Sequence, residues 1–243
     1  MPESYLIIAY FCMIVSLQSM IGVGVLVLGT PFLLILKFNI VEIYFILLPI
    51  SIITSLLNLI IINYSNKTLD KISYKKFKKF FIICTPSIFL GLMLLKFFEN
   101  YINFKQLVSF VIFVSVVLII LKDKIKFRIN FFRISILSCV GIVHGLTNSG
   151  GTLMSLALSV NNKEDYARLN TTFFYLILAV FQYFLTIIIF FDRLILTIDI
   201  IIIIVLIIGA LIGNLINYFF ESKLNKLIVN LLAILSAIIL LIS

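Results

Sequence analysis

Two uncharged runs constrain this chain more than any other feature. Ser4 to Leu36 and Ile134 to Asn162 contain no aspartate, glutamate, lysine or arginine, and seven of the ten glycines lie inside them, in the windows Gly22–Gly29 and Gly141–Gly151. As one straight helix the first run would be about 50 Å long, against a hydrocarbon core of about 30 Å. It must therefore tilt steeply, break, or fold back. Gly22 and Gly24 admit backbone angles that other residues resist, and Pro31 removes a donor and crowds the preceding turn. Backbone groups freed at such a break cannot face lipid; they must line a protein interior or a wet cavity. One glycine-interrupted apolar segment in each half predicts broken helices that offer backbone to a ligand.

Composition fixes the solvent. Hydrophobic residues make up 63% of the chain, charged residues 12%, and mean hydropathy is +1.27, whereas a soluble domain is roughly 25% charged. The expectation is an all-α integral membrane protein. Glu3 stands where a signal peptide carries a basic cluster, and no small-residue cleavage site follows the first run, so no leader is expected to be removed. The net charge of +9 comes from lysines in loops beside the apolar runs, where anionic lipid is the partner and nucleic acid is not. Cys12, Cys84 and Cys139 all lie in apolar runs without Cys-x-x-Cys spacing. They read as small buried side chains, with no disulfide, metal site or cofactor implied.

The expected spans are 5–36 (broken), 42–63, 80–96, 104–121, 133–160 (broken), 169–191, 199–220 and 226–242. With eight crossings, twelve basic residues share a side with both termini and seven lie opposite, which places the termini in the cytoplasm. A broken helix that re-enters rather than crosses would flip everything after it. At an offset of about 127 residues Gly24 falls on Gly151 and Cys12 on Cys139, and the span boundaries agree. The expected organisation is two tandem four-helix repeats, 1–121 and 133–243, the first helix of each broken by glycines, joined by a basic cytoplasmic linker, 122–132. An even number of crossings per unit makes the repeats parallel, with their axis along the membrane normal.

The second break is the more polar: His144, Thr147, Asn148, Ser149, Thr152 and Ser155 would be costly against lipid. A half-helix starting near Ser149–Thr152 would aim free N–H groups and its positive dipole end at the break, which suits an oxyanion. The candidate substrate-binding residues are Gln18, Gly22, Gly24, His144, Asn148, Ser149, Gly150, Gly151 and Thr152. His144, the sole histidine, is either hydrogen-bonded structure or a proton carrier that couples transport to protons. Gly141-x-x-x-Gly145 and Gly209-x-x-x-Gly213 fit close helix packing, and Asn58 and Gln182 fit hydrogen bonds between helices. Lys163, Glu164, Asp165 and Arg168 read as a solvated turn with Arg168 drawing anions to the mouth, while Asn170, Thr171 and Thr172 open the next span toward the cavity. Glu42, Glu99, Asp192, Asp199 and Glu221 all lie near span ends, which disfavours a cation exchanger or proton pump built on buried carboxylates.

The segment His144-Gly-Leu-Thr-Asn-Ser-Gly-Gly-Thr-Leu-Met-Ser-Leu-Ala-Leu-Ser159 resembles the second glycine-rich signature of the TauE/SafE sulfite exporter family. Gly22-Val-Gly-Val-Leu-Val-Leu-Gly-Thr-Pro-Phe-Leu33 is similar to its first, although Val23 and Val25 stand where the family has a denser glycine run. The resemblance implies a bacterial plasma-membrane permease for small organic or inorganic sulfur oxyanions, working by alternating access around a midplane site. Two other readings compete: an intramembrane hydrolase pairing His144 with Ser149, which lacks the Gly-x-Ser-x-Gly elbow, and a membrane assembly factor without transport. The oligomeric state is not fixed by the sequence.

Overall fold

The computed structural model describes residues 2–66, 74–121, 134–159, 164–194, 199–220 and 222–243. The linker 122–132 and Lys163 lie outside the described residues, as do the side chains of Ser155, Glu164 and Asp165. The described residues form ten α-helices: α1 (Pro2–Ile21), α2 (Val25–Ile35), α3 (Ile40–Asn66), α4 (Tyr74–Phe98), α5 (Phe104–Leu121), α6 (Ile134–Thr147), α7 (Gly150–Ser159), α8 (Glu164–Ile189), α9 (Ile200–Phe219) and α10 (Ser222–Ile242). Helices stand where the apolar segments were expected, with ends displaced by up to about six residues. In α3, α4, α8 and α9 the stretches Ile40–Tyr64, Lys76–Phe98, Arg168–Ile189 and Ile200–Phe219 are long and apolar enough to cross a membrane. The chain is a multi-pass membrane protein.

The two broken helices are not single crossings. Tyr10 on α1 stacks on Phe32 of α2 with ring centroids 3.6 Å apart, and its hydroxyl donates to the Leu28 carbonyl at 2.8 Å. A Cβ on Gly29 would meet Ile14, and one on Gly24 would meet Gln18 and Leu17. As the α2 position rises from 24 to 32, its α1 partner falls from 18 to 10, so α2 runs back along α1. In one straight helix residues 10 and 32 would stand about 33 Å apart. Pro31 lies within this returning helix instead of ending it. The second reversal lies at Asn148–Ser149, between α6 and α7: a Cβ on Gly150 would come within 2.6 Å of the Val140 carbonyl oxygen and of the His144 Cβ. Both are hairpins. The residue that makes the second turn is Asn148, at φ 62°, not a glycine.

Each reversal sets the direction of the helices after it. Gly209 of α9 packs on Cys12 and Val15 of α1 and Gly213 on Ser16 and Ser19, so these helices are parallel. Likewise Gly141 of α6 meets Cys84 and Ser87 of α4, and Gly145 meets Ile88 and Gly91. Both small-residue motifs thus perform the packing expected of them. Helices α3 and α8 are antiparallel, since Phe45 faces Tyr183 while Leu59 and Ile62 pack with Leu169. Lys105 at the start of α5 reaches Ser243 beyond the end of α10. Helices equivalent at the 127-residue offset therefore run in opposite directions, which an axis along the membrane normal would not produce. The expected parallel arrangement is wrong because its count of crossings took each hairpin for a span.

Burial sorts the helices by neighbour. In α2, Val25 to Pro31 are all buried, as suits a hairpin arm inserted into the bundle. In α9 only Leu206, Gly209, Ala210 and Gly213 are buried, while Ile200, Ile204, Ile208, Leu211 and Leu215 are exposed. Such an apolar outer face suits lipid. Cys84 is buried and Cys12 partly so, but Cys139 lies exposed on the outside of α6, contrary to expectation.

Candidate functional site

The hairpins bring their tips into the centre of the bundle. At the second, Asn148 takes the left-handed conformation that asparagine tolerates better than most residues. Its N–H donates to the His144 carbonyl (2.8 Å), and its side-chain Nδ2 donates across to Thr30 Oγ1 on α2 (3.2 Å). This bond ties one hairpin to the other. Thr147 Oγ1 accepts from the Ser149 N–H (3.2 Å), and the Thr152 hydroxyl donates to the Ser149 carbonyl (2.7 Å). Both bonds hold the turn that opens α7.

At the first tip the reversal passes through Gly22, at φ +89°. A Cβ there would meet Thr172 Oγ1 at 2.7 Å, so glycine is required by conformation and by space together. Gln18 closes this hairpin. Its Oε1 accepts from the Val25 N–H (3.1 Å), the first orphan donor of α2, and its Nε2 donates to the Ser51 carbonyl (3.2 Å) and to Ser55 Oγ (3.0 Å). One of the free N–H groups at the positive end of α2 is thus already taken by the protein. At α7 the glycines answer close neighbours: Gly150 lies on the α6 backbone, and a Cβ on Gly151 would stand 2.2 Å from Cε2 of Tyr175.

Gln18, His144, Asn148 and Ser149 are fully buried, and Thr152 is 6% exposed. The site is closed to solvent in this conformation. Several of its polar atoms lack a partner: both His144 ring nitrogens, Asn148 Oδ1, Gln182 Oε1, Ser51 Oγ and the Tyr175 hydroxyl. The Ser149 hydroxyl donates to the Thr147 carbonyl at 3.2 Å, so no Ser149–His144 pair of nucleophile and base is formed. Gln182 Nε2 donates to the His144 carbonyl (3.2 Å), and Asn58 Oδ1 accepts from Asn214 Nδ2 (2.8 Å). Both are the bonds between helices that the sequence suggested.

Sequence reading misses Tyr175 and misplaces Arg168. Tyr175 is fully buried between the tips, its ring on Gly151 and 6.2 Å from the His144 ring, its hydroxyl directed at Ser51 and the Leu26 N–H without completing a bond to either. On an apolar helix a tyrosine looks like core; only its position relative to both glycine windows marks it. Arg168 stands within α8 and donates to the Ser19 carbonyl and to Asn214 Oδ1. It is no part of a solvated turn. The charges just before it concealed that.

Among the described residues no three histidine, cysteine or acidic side chains gather as metal ligands. Neither the curated proteins nor the solved structures contain a match to the chain. A family model described as sulfite exporter TauE/SafE matches residues 6–240, a span that takes in both hairpins and every helix packed around them. With nearly the whole chain matched, the protein belongs to the TauE/SafE sulfite exporter family of membrane transporters.

Proposed function

We propose that this chain is a permease for a small sulfur oxyanion, sulfite or an organosulfonate, which it binds between the two hairpin tips and carries by alternating access. The observation that supports this most is the Asn148–Thr30 bond, which joins two separate re-entrant segments deep in the bundle beside polar atoms with no protein partner. Buried polar groups are ordinarily paired. Unpaired ones, where two broken segments meet, mark a place for a polar ligand. Asn148, Ser149, Thr152 and the backbone of Gly150 and Gly151 hold the anion, and His144 follows a coupled proton. Gln18, Gly22 and Gly24 serve the site indirectly, by shaping the first hairpin. The hairpin geometry favours a transporter over an enzyme, because Ser149 lacks a base.

The architecture we infer is two units, 1–121 and 133–243, each a re-entrant hairpin followed by three crossings and inverted relative to the other. Six crossings and two hairpins then replace eight crossings. On this path Lys37, Lys96, Lys105 and Arg193 share one side with both termini, and the other fifteen of the nineteen basic residues lie opposite. Fifteen against four is a stronger asymmetry than twelve against seven. It puts the linker 122–132 in the cytoplasm and both termini outside a bacterial inner membrane.

A thermal-shift screen of the detergent-purified protein against sulfite, thiosulfate, sulfoacetate, nitrate and acetate tests the substrate class. A ligand that binds only the native state raises Tm. Stabilisation by the sulfur oxyanions is expected; a flat response to all of them would overturn the reading.

A further inference from the structure

The first hairpin tip carries a second polar cluster, apart from the Asn148 turn. Arg168 enters it from α8, its Nη2 donating to the Ser19 carbonyl and to Asn214 Oδ1. With the Asn217 amide oriented so that its nitrogen donates to the Met20 carbonyl (2.8 Å), its oxygen accepts from Arg168 Nη1 (3.1 Å). Each of these partners is neutral, and among the described residues the ion pair in evidence is a different one, Arg193 with Glu99 at 2.8 Å. Four further donors here have no acceptor: Arg168 Nε, Thr172 Oγ1, Ser19 Oγ and Asn58 Nδ2. Thr172 is one helical turn beyond Arg168 and stands over Gly22, and Asn58 joins the cluster through Asn214. The Asn148 site differs, since acceptors, Asn148 Oδ1 and Gln182 Oε1, are among its unpaired atoms.

A part-buried guanidinium whose partners among the described residues are all neutral, ringed by unpaired donors, is costly until an anion completes it. We propose that Arg168, Thr172, Ser19 and Asn58 form a second oxyanion station at the first hairpin tip, on the lysine-rich side of the central site. The guanidinium supplies the charge, and the hydroxyls and amide supply single donors to the remaining oxygens, the arrangement that makes charge-assisted hydrogen bonds strong. The occupant is a free ion, not a lipid headgroup, because Ser19 and Thr172 are fully buried and Asn58 is 1% exposed. Ser87 occupies the place of Asn214, and Val41 that of Arg168, at the 127-residue offset, so the station has no charged counterpart at the second tip. The inference rests on the permease reading above.

Sulfite titration by thermal shift, with the purified full chain in detergent, tests it. Asn214→Asp gives Arg168 an internal carboxylate in nearly the same volume, and the Asn58 amide can turn to donate to it. This variant should melt higher than wild type without sulfite and need at least about tenfold more sulfite for the half-maximal shift. Arg168→Lys keeps the charge but loses the planar fork, and should weaken the response by about tenfold as well. Lys105→Gln, in an exposed contact remote from both hairpin tips, should retain the response. An unchanged sulfite midpoint in both Asn214→Asp and Arg168→Lys overturns the station and leaves the permease standing. No sulfite response in wild type overturns the permease reading itself.

Discussion

Gln18 shows how one side chain can look like a ligand group and act as a strut. Its place beside the first glycine break made it a binding candidate. All three of its hydrogen bonds are used within the protein, two of them reaching α3 and one capping α2. Gln18→Ala would leave the Val25 N–H and the Ser51 carbonyl without these partners, at a cost of about 2–3 kcal/mol from buried groups left unmade. The expected result is a clear fall in Tm in detergent, with sulfite still raising whatever Tm remains. A normal Tm with lost flux would instead make Gln18 a ligand. Tyr175 and Arg168 are the converse case. Nothing in a single sequence separates a tyrosine at the centre of a site from one in the core, or an arginine bonded to a neighbouring helix from one in a turn, because each is defined by residues far along the chain.

At the scale of the element, the glycine windows were legible and their geometry was not. A run too long for one crossing had to tilt, break or fold back, and local chemistry allows all three. The choice is made by contacts 15 to 22 residues apart in sequence, such as Gly29 on Ile14 and Tyr10 on Phe32, which no period or propensity encodes. The helix positions, by contrast, could be read directly, since uncharged length and flanking lysines set them. Gly22 is where the hairpin is most exposed to test. Gly22→Ala would force a left-handed backbone on alanine and push its methyl into Thr172 Oγ1, a combined cost of about 1–3 kcal/mol. Gly91→Ala offers a comparison with no left-handed backbone to strain, its cost coming from the α6 backbone on the packed α4–α6 seam, with the Ile142 carbonyl at 2.4 Å and Gly145 Cα and Leu146 N at 3.1 Å. Both should lower Tm, but only Gly22→Ala should also shift protease sensitivity at the first tip.

For the whole molecule, the fold-back of two short helices decides which side everything faces. The 127-residue offset suggested a tandem pattern with parallel halves; the two hairpins instead make the helices equivalent at that offset run in opposite directions. Cysteines introduced as Asp192→Cys and Ser243→Cys, in a background lacking Cys12, Cys84 and Cys139, should react from outside intact cells with a membrane-impermeant maleimide. Lys124→Cys should react only after permeabilisation. The eight-crossing arrangement predicts Asp192→Cys and Ser243→Cys to be protected. On the reading proposed above, the joined hairpin tips hold the transported anion. Asn148→Gly tests it most directly, because glycine keeps the left-handed turn and removes only the amide that reaches Thr30. In proteoliposomes loaded with equal amounts of folded protein, wild type should take up labelled sulfite and Asn148→Gly should retain no more than about a tenth of that flux, the loss of one hydrogen bond, from the second Nδ2 hydrogen, to a charged ligand. Equal flux from the two proteins would contradict the claim.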